Sequence, residues 1–447
     1  MVGFSVLWFG QFVSLVGTGM SGFALSIWAW QVTGEATALA LVGFFSFAPT
    51  VLMSPIAGVL VDRWDRKLVM ILSDLAAGLS SIAVLVLMTT GHLQIWHLYV
   101  AGAFSGVFGS FQFPAYTAAI TTMIPKKHYG RANAMVGMAR SATQVIAPIM
   151  AGALLLPLGI RGVLMLDIVT FVVAIALLLL VMIPKPEATR EGKRARGKLL
   201  SESLFGFKYV FKHRSFFWLL MLILSANVSL LIGLTVLTPM ILARTGDNEL
   251  TLGMVQMALG LGGVVGGFLM SLWGGPKRRI AGVLAGLAGL SLAGEVILGV
   301  GQATYVWVVG AFMLTLFLSL FNTSSGAIWQ SKVPPDVQGR VFAVRRMLGA
   351  LGAPIAMLLA GPLADRVFEP LMMREGWFSN AFEAVVGSGP GAGMSLMLLL
   401  GGGIGLLLAA WGLANKKLRR IEVLIPDFET DPPQECQQEG QQETPSS

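Results

Sequence analysis

Charged residues are scarce in this sequence. Asp, Glu, Lys and Arg make up 12% of its 447 residues, about half of the share that soluble domains carry. No charged residue precedes Glu35, so the first uncharged run is longer than the ~20 residues that a helix needs to cross a bilayer. That run is too long for the apolar part of a signal peptide, and no basic residue precedes it. The sequence therefore predicts a membrane protein with a retained first transmembrane helix.

Cysteine is also nearly absent. The one cysteine, Cys436, excludes an intramolecular disulfide framework. With no cysteine cluster and four scattered histidines, we expect no metal site. The glycine-rich stretch 262–267 lacks a following GKS or GKT, so it indicates helix packing rather than a phosphate loop. No nucleophile–base set emerges, and we expect neither a cofactor nor an enzyme. The net charge of +8 is explained by basic cytoplasmic loops rather than by nucleic-acid binding.

Long apolar runs between charged or Pro/Gly-rich breaks predict about twelve helices. These runs are longer than the ~10-residue alternating segments of a transmembrane barrel. With the N-terminus inside, 26 of the 31 Lys and Arg residues fall in the predicted inner loops and tail, and four in the outer loops. This asymmetry predicts that both termini are cytoplasmic. The predicted helices are 4–31, 37–61, 68–90, 96–124, 132–157, 162–183, 215–243, 250–273, 280–300, 303–331, 341–364 and 392–415.

One long polar interruption divides the helices into two groups of six. It covers 184–214 and contains a stretch of alternating apolar and basic residues that suits an amphipathic helix at the inner interface. We therefore predict an N-terminal bundle at 1–183 and a C-terminal bundle at 215–415. The polar tail at 416–447 is predicted to be disordered and cytoplasmic.

The two groups are related by an internal repeat. Two six-helix halves in parallel orientation form a known transporter architecture. At one constant shift, the repeat aligns the loop after the second predicted helix with the loop after the eighth, and the loop after the fourth with the loop after the tenth. A shift of 209 residues aligns Gly58, Leu60, Trp64, Pro125, Gly130 and Arg131 with Gly267, Leu269, Trp273, Pro334, Gly339 and Arg340.

The loop after the second predicted helix reads GVLVDRWDRK, from Gly58 to Lys67. It resembles the signature G-x-L-x-D-R-x-G-R-K of the major facilitator superfamily, with Asp65 in place of the second Gly. The resemblance covers residues ~1–415 and implies an all-α membrane protein of twelve transmembrane helices in two pseudo-symmetric six-helix bundles. The stretches VPPDVQGRV and LAGPLADRVFEP resemble the branch of bacterial exporters that includes macrolide-efflux and enterobactin-export proteins.

The resemblance also implies an inner gate. Asp62 would dock against the start of the eleventh helix when the inner side is closed, because an acid is favourable at a helix N-terminus. Gly58 would allow close helix approach, and the two last bases of the motif would contact lipid headgroups or acids on the inner surface. Arg63 and Lys67 are equally explained as a charge cluster that sets topology. The predicted gating residues are Gly58, Asp62, Arg63, Arg66, Lys67, Gly339 and Arg340.

Four ionisable side chains stand out within predicted helices, where such groups are costly and point to function. The candidates for proton coupling are Glu295, Asp167 and Asp74, because a buried carboxylate can take up a proton. Asp167 is also explained by a pair with Arg161 at the outer interface, and Asp74 by a tie between the third helix and the inner loops. Arg140 would attract an anionic substrate, or pair with Asp74 or a carbonyl.

Uncharged polar and aromatic side chains recur on the helices that line the cavity in this fold. Gln11 and Ser14 share one face of the first helix, and an aromatic stripe follows helical spacing on the fourth. This mixture suits a bulky, mainly apolar ligand. Taken singly, each amide is also explained as a hydrogen bond between packed helices. The predicted cavity residues are Gln11, Ser14, Phe108, Phe111, Gln112, Arg140, Asn227, Gln256 and Asn322.

These features predict a secondary active transporter of the bacterial inner membrane. It would export an amphipathic small molecule, such as a drug, a macrolide-like compound or a siderophore, by alternating access driven by protons or another coupling ion. Antiporters of the superfamily carry G-P-x-x-G-G in helix five, where this chain reads APIMAG from Ala147. This departure keeps an importer or a lipid flippase open. A non-transporting membrane receptor or assembly partner is a further alternative. We expect a monomer in the lipid bilayer.

Overall fold

The computed structural model describes residues 2–61, 64–125, 128–183, 211–212, 214–333, 335–374 and 376–424. Over these residues the chain is helical and contains no strand. The first half holds α1 (Val2–Thr33), α2 (Ala36–Val61), α3 (Arg66–Thr89), α4 (Ile95–Met123) and α5 (Tyr129–Leu180). The second half holds α6 (Arg214–Thr245), α7 (Glu249–Trp273), α8 (Arg279–Gly289), the π-helical turn π1 (Leu290–Val296), α9 (Ile297–Val300), α10 (Thr304–Lys332), α11 (Pro335–Leu363), the π-helical turn π2 (Ala364–Phe368), α12 (Glu369–Met373), α13 (Trp377–Val386), α14 (Ala392–Ala414), α15 (Lys416–Arg419) and α16 (Ile421–Leu424).

Ten helical segments in the described part of the chain are long and apolar enough to cross a membrane. One of them, Met135–Leu180, has 46 residues, far more than one crossing needs. Gly159 breaks α5 with a φ of 63° and a ψ of −179°, so this helix holds two predicted spans. Helix α4 has 29 residues and no charged side chain, which suits a further crossing. The total of twelve stays a prediction.

The second half departs from the predicted helices in three places. The eleventh helix begins at Pro335 rather than at 341, because proline is well suited to the first helical position. It continues through π2 and α12 to Met373. The stretch after it forms the ten-residue helix α13, where no helix is predicted. The predicted linker at 184–214 lies largely outside the described residues. The tail at 416–447, predicted to be disordered, instead begins with the short helices α15 and α16, and its residues 425–447 lie outside the described part.

The two halves meet along two pairs of helices, α2 with α11 and α5 with α7. Both pairs run antiparallel: a Cβ on Gly361 would touch Thr37, and a Cβ on Gly43, further along α2, would touch Met357, which lies earlier in α11. We name the end of the protein that carries the predicted outer loops the outer end. The start of α2 therefore lies beside the end of α11 at the outer end.

Glycines allow α5 and α7 to cross closely. A Cβ built at Gly260 would lie 2.6 Å from the side chain of Val145, and one at Gly253 would lie 3.4 Å from the carbonyl oxygen of Pro148. Small residues at such crossings let helix backbones approach within the membrane. The departure from the superfamily's helix-five motif thus still leaves this crossing closely packed.

Candidate functional site

The predicted inner gate lies largely outside the described residues. Asp62 and Arg63 are not described, and Gly58, Gly339 and Arg340 lie in helices whose side chains at these positions are not described. The docking of Asp62 against the start of α11 therefore stays a prediction.

The two last bases of the loop motif bind backbone carbonyls. Arg66 donates through Nη1 to the carbonyl oxygen of Ala118 at 2.6 Å. Lys67 donates through Nζ to the carbonyl oxygens of Leu179 at 2.9 Å and Val181 at 2.8 Å. The carbonyls at a helix C-terminus lack helical partners and attract cations. These bases therefore join α3 to α4 and to the end of α5, while their expected contact with lipid headgroups or acids stays a prediction.

Asp65, the residue that departs from the superfamily signature, caps α3. Its Oδ1 accepts hydrogen bonds from the backbone N–H groups of Lys67 at 3.0 Å and Leu68 at 3.3 Å. The second half contains a contact like that of Arg66: Arg279, at the start of α8, donates to the carbonyl oxygen of Ala327. Ala327 is the residue that the 209-residue shift aligns with Ala118. The sequence signal for the cap was an Asp shortly before the predicted helix 68–90.

Asp74 lies in a polar cluster of three helices. Its Oδ2 accepts a hydrogen bond from Gln11 Nε2 at 3.0 Å, and its Oδ1 accepts one from Gln112 Nε2 at 2.8 Å. Gln112 Nε2 also donates to Gln11 Oε1 at 2.8 Å. These amides were predicted to line the cavity and Asp74 to tie α3 to the inner loops. The structure instead brings the three together and joins α1, α3 and α4.

Asp167 is surrounded by hydroxyl groups. Ser81 donates to its Oδ2 at 2.8 Å, and Thr18 lies 3.5 Å from its Oδ1. Its side chain is buried. Arg161, its expected partner, donates instead to the carbonyl of Met88 at 3.4 Å. The pairing with Arg161 is therefore wrong, and α1 and α3 supply the groups that hold Asp167.

Glu295 lies in π1 and is 1% exposed. A Cβ built at Gly233 of α6 or at Gly401 of α14 would lie 3.2 or 3.4 Å from its Oε1. The Ser229 hydroxyl, close to the same point beside Gly401, donates to the carbonyl of Gly401 at 3.2 Å. Glu295 Oε1 has no hydrogen-bond partner within the described part of the chain. This carboxyl group is therefore enclosed by glycine surfaces of α6 and α14.

A cavity of about 370 Å³ lies toward the inner end of the second half. Two predicted cavity residues, Asn227 of α6 and Asn322 of α10, lie in its wall. Arg345 of α11 joins them; it donates to the Ser325 hydroxyl at 3.4 Å. The wall combines apolar and polar side chains: Leu220, Ile223, Leu224, Asn227, Asn322, Gln330, Phe342, Arg345 and Gly349.

Arg345 and Gln330 are the polar wall residues that the sequence reasoning missed. Arg345 was counted among the bases of an inner loop, because it lies only about one turn inside the eleventh helix as predicted from 341. With α11 starting at Pro335, Arg345 lies ten residues, or ~15 Å, inside the helix. The Pro-Pro pair before it was the available signal, since proline favours the first helical position.

The other predicted cavity residues lie apart from this wall. Gln256 donates to Thr238 Oγ1 at 3.3 Å, between α7 and α6. The Arg140 guanidinium lies over the Phe113 ring, 4.0 Å from its centroid. Phe111 is 8% exposed and stacks on Trp64, so it packs in an apolar core cluster. Ser14 is buried on α1, and the Phe108 carbonyl accepts a hydrogen bond from Ser73.

Hydrogen bonds join the halves at the outer end. The Trp30 indole donates to Asp247 at 2.8 Å. The backbone N–H groups of Ala36 and Thr37 donate to Asp365 at 2.9 and 2.7 Å. Together with the glycine crossings, these contacts close the outer end, while the cavity lies toward the inner end.

Known proteins share this sequence pattern and fold. The sequence model of the Major Facilitator Superfamily matches residues 7–357. Macrolide efflux protein A of Streptococcus pyogenes is 24% identical over 370 residues, covering 81% of this chain and 90% of that protein. Enterobactin exporter EntS of Citrobacter koseri is 25% identical over 409 residues, covering 89% and 92%.

Two solved structures share the fold. A bacterial homolog of the human lysosomal transporter Spinster, in an inward-facing and unoccupied conformation, matches with a TM-score of 0.65 and 14% identity, over 96% of this chain and 99% of that one. The nucleoside transporter NupG matches with a TM-score of 0.60 and 12% identity, over 93% and 99%.

Proposed function

Because this chain belongs to the major facilitator superfamily, we propose that it is a secondary active exporter of an amphipathic small molecule. Proteins of this family are multi-pass membrane transporters rather than enzymes. Two relatives are named for efflux of a macrolide and export of enterobactin, which favours export over import here. The positive-inside asymmetry of the sequence supports cytoplasmic termini.

The observation that carries the proposal is a cavity toward the inner end beneath a closed outer end. Its wall comes from α6, α10 and α11, and the outer closure comes from helices of both halves. This wall belongs to the second half alone. Rocking of the two halves against each other would expose it to each side in turn. The arrangement therefore supports alternating access.

The cavity wall suggests the chemistry of the ligand. Its volume of about 370 Å³ lies toward the lower end of pockets that bind drug-sized molecules. Leu220, Ile223 and Phe342 supply apolar contact, and Asn227 and Asn322 supply hydrogen-bonding groups. An amphipathic molecule matches this mixture. A purely apolar ligand would leave polar groups of the wall without hydrogen-bond partners, which would weaken its binding.

We assign proton coupling to Glu295 among the three acidic candidates. Asp74 and Asp167 have hydrogen-bond donors at both carboxylate oxygens. Glu295 Oε1 has none among the described residues, and an ionised carboxylate left alone in the protein interior costs several kcal/mol. A bound proton removes this cost in the described conformation. Release of the proton in another conformation would link transport to the proton gradient.

The test is efflux of lipophilic dyes and antibiotics from bacteria that express the protein, with and without a protonophore. We expect efflux above that of empty cells, and its loss when the proton gradient is collapsed. Asn227→Ala should weaken the apparent affinity by roughly 2- to 12-fold, the value of one hydrogen bond. Asn380→Ala, the same change at an exposed position of α13, is the control and should have no effect.

Each outcome of this assay decides a separate part of the proposal. Equal retention in expressing and empty cells across the panel would refute export of such compounds. Faster accumulation instead of efflux would indicate an importer. Efflux that persists after the protonophore, with other ion gradients controlled, would refute proton coupling.

A further inference from the structure

The interface between α2 and α11 is tightest at its outer end. A Cβ built at Gly361 would lie 2.4 Å from the Cα of Thr37, so the two backbones are in contact. One turn later, Asp365 accepts two backbone hydrogen bonds from α2. Ala36 N lies 2.9 Å from its Oδ1, and Thr37 N lies 2.7 Å from its Oδ2. One carboxylate thus joins opposite halves across 328 sequence positions.

These two N–H groups belong to the set of donors that every helix leaves without a helical partner at its start. The oxygen that binds them usually comes from the residue just before the helix. Here the oxygen comes from the other half of the protein. The negative carboxylate also faces the positive end of the α2 helix dipole. The contact is therefore favourable only while the outer ends of the two halves are together.

A π-helical turn positions this carboxylate. Asp365 lies in π2, which follows α11, and such a turn adds a residue that shifts the direction of the side chains. The next acid, Glu369, contacts the start of another helix in the same way. It accepts hydrogen bonds from Gly391 N at 3.3 Å and Met394 N at 3.0 Å, at the start of α14. That contact lies within the second half, whereas the Asp365 contact crosses between halves.

We propose that Asp365 is the latch of an outer gate, which holds the outer end closed and must release α2 before the protein opens outward. The proposal depends on the alternating access proposed above. Because α2 and α11 run antiparallel, each helix starts beside the other's end. Asp62, at the end of α2, is predicted to bind the start of α11 in the opposite state. The two acids then stabilise opposite conformations of one helix pair.

The test measures the conformation of the full-length protein in lipid nanodiscs. In a Cys436→Ser background, Val32→Cys on α1 and Trp377→Cys on α13 provide exposed sites for spin labels on opposite halves. Distances between the labels report the outer end. We expect Asp365→Ala to raise the ratio of open to closed outer end by roughly 2- to 30-fold, the range for loss of a helix cap. Asp365→Asn retains one acceptor oxygen and should shift the ratio less.

The matched control is Glu369→Gln, which changes the equivalent contact within one half and should leave the ratio unchanged. If the distance distribution of Asp365→Ala equals that of the wild type, the latch is overturned. The same holds if every variant shows only the closed outer end. An equal shift in Glu369→Gln would also overturn it, because loosening of the second half would then explain both results. If Asp365→Ala does not fold, Asp365→Asn decides the question by the same criterion. A wild-type protein that transports no compound refutes the proposed function, while the distances still test the latch.

Discussion

Replacing Gln112 by leucine should destabilise the first half of the protein. Gln112 Nε2 donates to Asp74 Oδ1 and to Gln11 Oε1, both at 2.8 Å. The change leaves the carboxylate with the single donor of Gln11 and leaves an amide oxygen without a donor. Leucine preserves the volume of the side chain well enough that packing alone should change little.

The magnitude follows from three contributions. Loss of a hydrogen bond to a charged group costs about 1.5–3 kcal/mol, and an orphaned buried amide oxygen costs about 1–3 kcal/mol. Against this, Gln112 Oε1 has no partner of its own in the described structure, so its removal returns about 1–3 kcal/mol. The net expectation is a loss of about 1.5–3 kcal/mol in the free energy of unfolding. In an Asp74→Leu background the same change should cost less than half as much, because the charged partner is already gone.

Denaturant unfolding in detergent, followed by tryptophan fluorescence, measures both effects. Thr117→Val on the same helix is the control, since its hydroxyl bonds to carbonyls of its own helix and its loss should change stability by about 0.5 kcal/mol or less. A Gln112→Leu protein within that range of wild type would refute the cluster. Equal losses with and without Asp74 would refute the coupling between the two residues.

Three further predictions concern gating, coupling and packing. Asp62→Asn should still fold but lose transport, and a normal efflux rate would contradict the inner gate. Glu295→Gln should keep downhill efflux but lose its dependence on the proton gradient. Efflux by this variant that matches the wild type and is still abolished by a protonophore would disprove the assignment. Gly361→Ala should cost about 1–3 kcal/mol of stability through the 2.4 Å approach to Thr37. Gly137→Ala, where a Cβ meets nothing within 4 Å, is its control in thermal unfolding, and equal losses would argue against the close approach.

The helices were predictable because their signals are local in the chain. Apolar runs, charged loops and glycine or proline breaks lie within a few residues of the helix ends they set. Helix α2 was expected at 37–61 and occupies Ala36–Val61, and α7 was expected at 250–273 and occupies Glu249–Trp273. The π-helical turns were not foreseen, because one additional residue in a helix leaves the apolar pattern nearly unchanged.

The candidate site was predictable in residue types but not in partners. Asn227 and Asn322 were expected in a cavity and lie in one wall. Asp167 was expected beside Arg161 but is held by hydroxyl groups of other helices. The periodicity of an α-helix identifies which of its residues share a face. Which neighbouring helix meets that face depends on the packing of the whole bundle.

The sequence by itself determined the membrane class, the approximate helices and the superfamily, because bilayer thickness, charge asymmetry and a loop motif are read along a single segment of chain. Only the tertiary structure decided which polar groups meet. The amides of Gln11 and Gln112 meet Asp74 from three helices, and Asp365 reaches the start of α2 from the opposite half. The physical reason is that a buried polar group must find its partner in three dimensions, among helices that are distant in sequence and adjacent in the packed bundle.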